Sequence, residues 1–161
     1  MLGAIIGDII GSRWEFCPTN DYHFEWISAQ NDYTDDTLCT VAVADAIVHQ
    51  SDDYGSYIHC WCRSHPCPMG GYGGRFAQWV RSNRPQPYGS FGNGSAMRVS
   101  AIGWAFDETD DVLREAEKSA ACSHNHPEGI RGAQAVALAS RQRFAATLMD
   151  CRLPVIDGYE A

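Results

Sequence analysis

Lysine is almost absent: Lys118 is the only one in 161 residues. Twelve basic side chains face 20 acidic ones, and the formal charge is −8. No basic block occurs, and no interleaving of arginine with aromatic residues, so a nucleic-acid partner is not expected. The same acidity repels a phosphorylated ligand unless a metal ion or backbone amides receive it. Low-complexity tracts, internal repeats and linkers are also missing. The apolar start, Met1–Ile10, is interrupted by Asp8 and is shorter than the ~20 residues a bilayer requires. It lacks the basic segment of a secretory leader. No run of alternating residues announces a sheet. What remains is ordinary globular composition, 45% hydrophobic and 20% charged. That suits a single domain over residues 1–161, not inserted in a membrane.

Cysteine is the exception to this list of shortages. The seven cysteines are an odd number with no leader before them, which predicts free thiols in a reducing, cytoplasmic setting. His59, Cys60, Cys62, His65 and Cys67 crowd together, and zinc has to be weighed. Their Cys-x-Cys-x4-Cys spacing matches neither a finger nor a ribbon, and no second cysteine pair lies at a suitable distance. An irregular helix end followed by a loop is the reading that fits.

The chain reads as a succession of helices. Met1–Phe16 is apolar almost all round and predicts a buried helix. Gly3, Gly7 and Gly11 line one of its faces, although each glycine inside a helix costs about 1 kcal/mol relative to alanine. Close helix packing or an approaching ligand would each explain them. Cys17–Tyr33 is a loop, and Thr34 caps a long apolar helix over Asp35–His49. Shorter helices are expected over Asp53–Arg63 and Arg75–Asn83, around a glycine-rich loop at Pro66–Gly74. After a second loop, Arg84–Ser95, comes a buried apolar stretch, Ala96–Phe106. A helix then starts among Asp107–Asp111 and ends near Ser123. Pro127 opens a last helix running to about Met149, and Arg152–Ala161 is a tail. The expected class is all-α.

Four stretches carry chemistry. In Tyr33-Thr34-Asp35-Asp36-Thr37, two carboxylates and a hydroxyl crowd a helix N-terminus. Adjacent helical side chains diverge by about 100°, so Asp35 and Asp36 could clasp a hard cation from two sides, with Thr34 as a third oxygen. Thr-Asp-Asp is equally a capping sequence, as Thr109-Asp110-Asp111 illustrates. In the first helix, Asp8, Gly11 and Glu15 fall near one face. Buried acids need partners. Asp8 suits a structural role, bonding to nearby amides, and Glu15 is the better placed to reach a ligand. Gly92-Asn93-Gly94-Ser95, running into a helix, offers N–H groups to an anion. Without Gly-Lys-Ser/Thr it is not a nucleotide P-loop. Finally, Ser123-His124-Asn125-His126-Pro127 places two histidines in a tight interhelical turn that could line a pocket mouth.

Together these stretches resemble the ADP-ribosylglycohydrolase family, which includes the dinitrogenase reductase-activating glycohydrolases. The matching pieces are Gly7-Asp8-x2-Gly11-x3-Glu15, Thr34-Asp35-Asp36-Thr37, Gly92-Asn93-Gly94-Ser95-Ala96-Met97-Arg98 and Ser123-His124-x2-Pro127, in the family's order. The resemblance implies an all-α protein with two Mg²⁺ or Mn²⁺ ions that cleaves the glycosidic bond between ADP-ribose and a protein side chain. By that likeness Thr34, Asp35 and Asp36 are metal ligands. Glu15, Asp35 and Asp36 form the catalytic set. Gly92, Asn93, Gly94, Ser95 and His124 bind substrate, and Tyr72, Tyr88 and Phe91 are candidate adenine or ribose contacts. The family's later Asp-x-Asp-Thr/Ser motif has no counterpart: no Asp-x-Asp occurs anywhere. The resemblance therefore implies a C-terminally shortened member with an incomplete metal site and lost or reduced turnover. Missing helices would leave an apolar face for a homo-oligomer to cover.

Overall fold

The computed structural model describes residues 1–21 and 23–141, together with the short segments 152–153 and 156–157. Seven α-helices are found among the described residues: α1 Leu2–Gly11, α2 Asp35–Val48, α3 Tyr54–Ser64, α4 Gly74–Arg81, α5 Ser100–Ala105, α6 Thr109–Ala121 and α7 Pro127–Ser140. Single 3₁₀ turns occupy Ser12–Trp14 and Asn93–Ser95. Arg152–Leu153 pairs antiparallel with Ile156–Asp157, a ladder too small to change the all-α class. The sequence-expected continuation of the last helix to Met149 lies outside the described residues beyond Arg141.

Local chemistry explains three of the seven helix starts. Thr34 is extended and its hydroxyl accepts from the Asp36 amide at 3.2 Å, so α2 begins on a side-chain cap with two acids at the positive end of its dipole. Asp53 caps α3 through the Ser56 amide at 3.1 Å. Pro127 sits in the first turn of α7, where the His126 ring accepts from the Glu128 amide.

Helix α2 runs through the core. Cys39, Ala42, Val43 and Ala46 are fully buried, against Ile58 and Cys62 of α3, Ile102 of α5, Val112, Ala116 and Ala120 of α6, and Ala133 and Ala137 of α7. The α5–α7 contact is so close that a Cβ on Gly103 would collide with the Ala137 carbonyl. The stretch Ala96–Phe106 is apolar and largely buried as expected, but only Ser100–Ala105 is α-helical.

The N-terminal helix corrects the sequence reading. It ends at Gly11, short of Phe16, and none of its residues is buried. Leu2 is 70% and Ile6 55% exposed. A Cβ on Gly3, Gly7 or Gly11 would meet nothing within 4 Å, so among the described residues no backbone packs on the glycine face. The apolar composition records a demand for cover that the described residues do not meet. Helix α1 packs mainly against α2.

Candidate functional site

Asp8 joins α1 to the start of α2. Its Oδ2 accepts from the amides of Thr34 at 3.0 Å and Thr37 at 3.3 Å, and from the Thr37 hydroxyl at 2.6 Å. Its Oδ1 accepts from the Thr34 hydroxyl at 2.6 Å. A carboxylate inside an apolar helix thus finds its partners in the free donors of another helix's first turn. The loop Pro66–Gly74 is pinned to the same corner, since the Met69 amide donates to the Tyr33 carbonyl at 3.2 Å. Gly70 then lies against Glu15. Its positive φ of 79° favours glycine there, and the Glu15 carboxylate occupies the space a Cβ would take.

The acids of this corner feel one another. Burial and then the neighbouring Asp36 push the Asp35 carboxyl up to about 7. Burial, Asp8 and Glu15 do the same to Asp36, also to about 7. Glu15 is raised by burial and by Asp8. Such mutual repulsion is what a cation would relieve. The donor set, carboxylates with the remaining lone pair of the Thr34 hydroxyl, has the hard-oxygen chemistry of Mg²⁺ or Mn²⁺. Among the described residues no three His, Cys, Asp or Glu side chains enclose a complete ion site. The residues present fit one side of a coordination shell.

Across from the acids, a cleft of about 100 Å³ is lined by Asp35, Tyr88, Gly92, Asn93, Gly94 and His124, with Arg98 and Ser90 among its other walls. The structure thereby brings together Asp35, the glycine loop and the histidine turn, whereas Thr34, Asp36 and Glu15 are not among the lining residues. Ser95 does not line this cleft. It is fully buried, and its hydroxyl donates to the Gly129 carbonyl at 2.8 Å, tying the loop to α7. Of the aromatic candidates, Tyr88 lines the cleft, with the Arg75 guanidinium over its ring. Tyr72 instead donates to the Cys62 and His65 carbonyls. Phe91 is exposed, edge-on to His126.

The side chains of the cysteine–histidine cluster make separate contacts. His59 meets the Ser82 carbonyl, His65 the Trp61 carbonyl, and Cys62 faces Cys39 at 3.8 Å, while Cys60 and Cys67 are exposed.

Sequence reasoning assigned no role to Arg98 or Ser123. Arg98 is 0% exposed. Its NH2 donates to the Ser119 carbonyl at 2.6 Å and the Ser123 hydroxyl at 3.0 Å, while Nε and NH1 have no partner among the described residues. The available signal was a charged residue inside an apolar stretch, which demands a polar destination.

Comparison with known proteins follows the same lines. The ADP-ribosylglycohydrolase family profile matches residues 1–152. Mouse ADP-ribosylhydrolase ARH3 is 29% identical over 86% of this chain and 46% of its own length. The human ADP-ribosylhydrolase ARH3 is 28% identical over 86% and 47%. A putative ADP-ribosyl glycohydrolase, L543, of Acanthamoeba polyphaga mimivirus is 22% identical over 80% and 49%. The chain spans about half the length of these relatives.

Proposed function

Since this chain belongs to the ADP-ribosylglycohydrolase family, we propose that its cleft receives ADP-ribose, free or attached to a protein side chain, beside one half of a metal-dependent hydrolytic centre. The observation that carries this reading is that Asp35 lines the same cleft as Gly92, Asn93, Gly94 and His124. Thr34, Asp35 and Asp36 would hold Mg²⁺ or Mn²⁺. A bound ion supplies Lewis acidity and lowers the pKa of water. Asp8 keeps Thr34 and the first turn of α2 in place. Glu15, whose carboxylate lies against Gly70 and close enough to Asp35 to raise its pKa, would carry a proton to or from the scissile bond, a task its own raised pKa suits. The glycine loop and His124 hold the phosphate–ribose portion.

The 161 residues contain no Asp-x-Asp to supply the rest of the ion shell. Turnover by this chain alone is therefore absent or greatly reduced, and binding is the function it retains. Calorimetry with ADP-ribose, with and without Mg²⁺, tests the binding. No heat in either condition overturns it. Incubation with Mn²⁺ and a peptide ADP-ribosylated on serine or arginine tests the chemistry. Release of free ADP-ribose that Asp35→Ala abolishes would show that the half-site suffices for hydrolysis.

Two further parts of this reading have their own tests. The uncovered apolar residues of α1, Leu2 and Ile6, favour a homo-oligomer, which sedimentation as a clean monomer would remove. No described helix is long and apolar enough to cross a membrane. With thiols unpaired at Cys17, Cys39, Cys60, Cys62, Cys67 and Cys122, the proposed location is the cytoplasm, which cell fractionation checks.

A further inference from the structure

Beneath the cleft, three side chains form a line. Arg98 NH2 lies 3.0 Å from Ser123 Oγ, and Ser123 Oγ lies 2.8 Å from His124 Nδ1. A guanidinium can only donate. The Ser123 oxygen therefore accepts from Arg98. The Cys122 thiol, 3.9 Å away, directs its one proton to the Ser119 carbonyl at 3.2 Å, so its sulfur is only a weak and distant acceptor. Among the described residues the strong acceptor in reach of the Ser123 hydroxyl proton is Nδ1 of His124. A neutral imidazole that accepts at Nδ1 carries its proton on Nε2.

The Nε2 edge is not turned into the core. It lies against Gly94, where a Cβ would stand 2.8 Å from Nε2, and both residues line the cleft. No protein partner of Nε2 exists among the described residues. The backbone fixes the ring from behind: the His124 amide donates to the Ala120 carbonyl at 2.8 Å, and the Ser123 carbonyl accepts from the Tyr88 amide at 3.1 Å.

We propose that Arg98 and Ser123 are positioning residues that lock His124 in its Nε2–H form, so that the cleft presents a permanent neutral N–H donor to a ribose or phosphate oxygen of the ligand. This rests on the ADP-ribose reading for the identity of the ligand, but the lock itself is a property of the free protein. The groups around the ring agree with it. Burial, and after it the positive charges of Arg98 and Arg75, disfavour an imidazolium, while Tyr88 flanks the ring at 5.7 Å between centroids. Asp35, on the far wall of the cleft, is the one acid among the lining residues. The buried Arg98, with no carboxylate partner among the described residues, is then the fixed end of a relay rather than half of an ion pair.

The test uses the full chain labelled with ¹⁵N and a long-range ¹H–¹⁵N correlation of the histidine side chains at neutral pH. His124 is identified by the signals lost in His124→Gln. The expected pattern is a neutral ring protonated on Nε2. In Ser123→Ala that preference is lost and the Nδ1–H form becomes populated, while Ser123→Thr, which keeps a hydroxyl, restores it. Circular dichroism confirms that the variants stay folded. A His124 protonated on Nδ1 in the parent chain, or an unchanged tautomer in folded Ser123→Ala, overturns the proposal. In calorimetry Ser123→Ala weakens ADP-ribose binding by roughly two- to tenfold, the worth of one hydrogen bond; unchanged affinity would show that the donor is not used. If the parent chain does not bind ADP-ribose, the functional reading fails while the tautomer experiment still decides the lock.

Discussion

The two sides of the cleft are built by opposite means. On the acid side, α1 lies in the open and is fastened to α2 by the four hydrogen bonds of one carboxylate, Asp8. On the glycine-loop side, Ser95, Arg98 and Ser123 are fully buried, and the loop is wedged onto α7. The acid side gathers charges that repel one another. The loop side gathers neutral acceptors around one buried cation. The contrast teaches that a cluster of acids can be left electrostatically tense, provided its neighbour is packed firmly enough to keep the two walls facing each other.

The largest effect is expected from Asp8→Ala. It strips the partners from two amides and two hydroxyls, and should cost about 3 kcal/mol in urea unfolding. Mn²⁺ affinity should fall with it. A loss confined to a few tenths of a kcal/mol would mean that α1 is held some other way. In the core behind the cleft, where α5 meets α7, Gly103→Ala pushes a methyl into the Ala137 carbonyl. It should cost roughly 2 kcal/mol while leaving Mn²⁺ binding intact, which separates packing from charge.

A smaller effect concerns pH, and the two walls differ in sign. The His124 pKa is lowered by burial to about 3, far below its unfolded value of 6.5. The folded state resists a proton that the unfolded chain accepts, so stability is complete above pH 6.5 and is lost as pH falls toward 3. In His124→Gln, thermal melts should show a flatter decline over that window. Asp35 and Asp36, raised from 3.8 to about 7, behave oppositely. The folded state keeps protons that the unfolded chain gives up, so metal-free stability decreases as pH rises from 3.8 to 7. Asp35→Asn should therefore melt a few degrees higher than the parent at pH 8 in chelator, and Mg²⁺ should erase the difference by stabilising only the parent. The smallest effect belongs to the exposed Arg131–Glu128 pair at 2.5 Å. Arg131→Ala should change stability by no more than about 0.5 kcal/mol.

What could be read from the sequence was local. Thr34, Asp53 and Pro127 declare helix starts through chemistry confined to one turn, and the expected helices α2, α3 and α7 begin within a residue of those signals. Asp8 was legible too, because a carboxylate in an apolar helix must find donors. Burial was not. The hydrophobicity of α1 states a preference, and whether anything answers it depends on the rest of the fold. Arg98 and Ser123 escaped for a related reason: their meaning lies in a contact across 25 residues of chain, which no periodicity encodes. Ser95 belongs to a glycine-loop motif, yet its hydroxyl turns inward to α7.

The polar fastening of α1, by Asp8 to the start of α2 and by the Asn31 amide to the Ile9 and Ile10 carbonyls, sets how the molecule comes apart. With no residue of α1 buried, little apolar area resists its departure, so it should lift away in a local opening that leaves α2–α7 standing. Amide protons of α1 would then exchange with solvent orders of magnitude sooner than those of α2. Because Asp8 also braces Thr34 and Thr37, every such opening slackens the very turn that carries Asp35 and Asp36. A cation gripping those acids would slow the exchange of a helix it never touches.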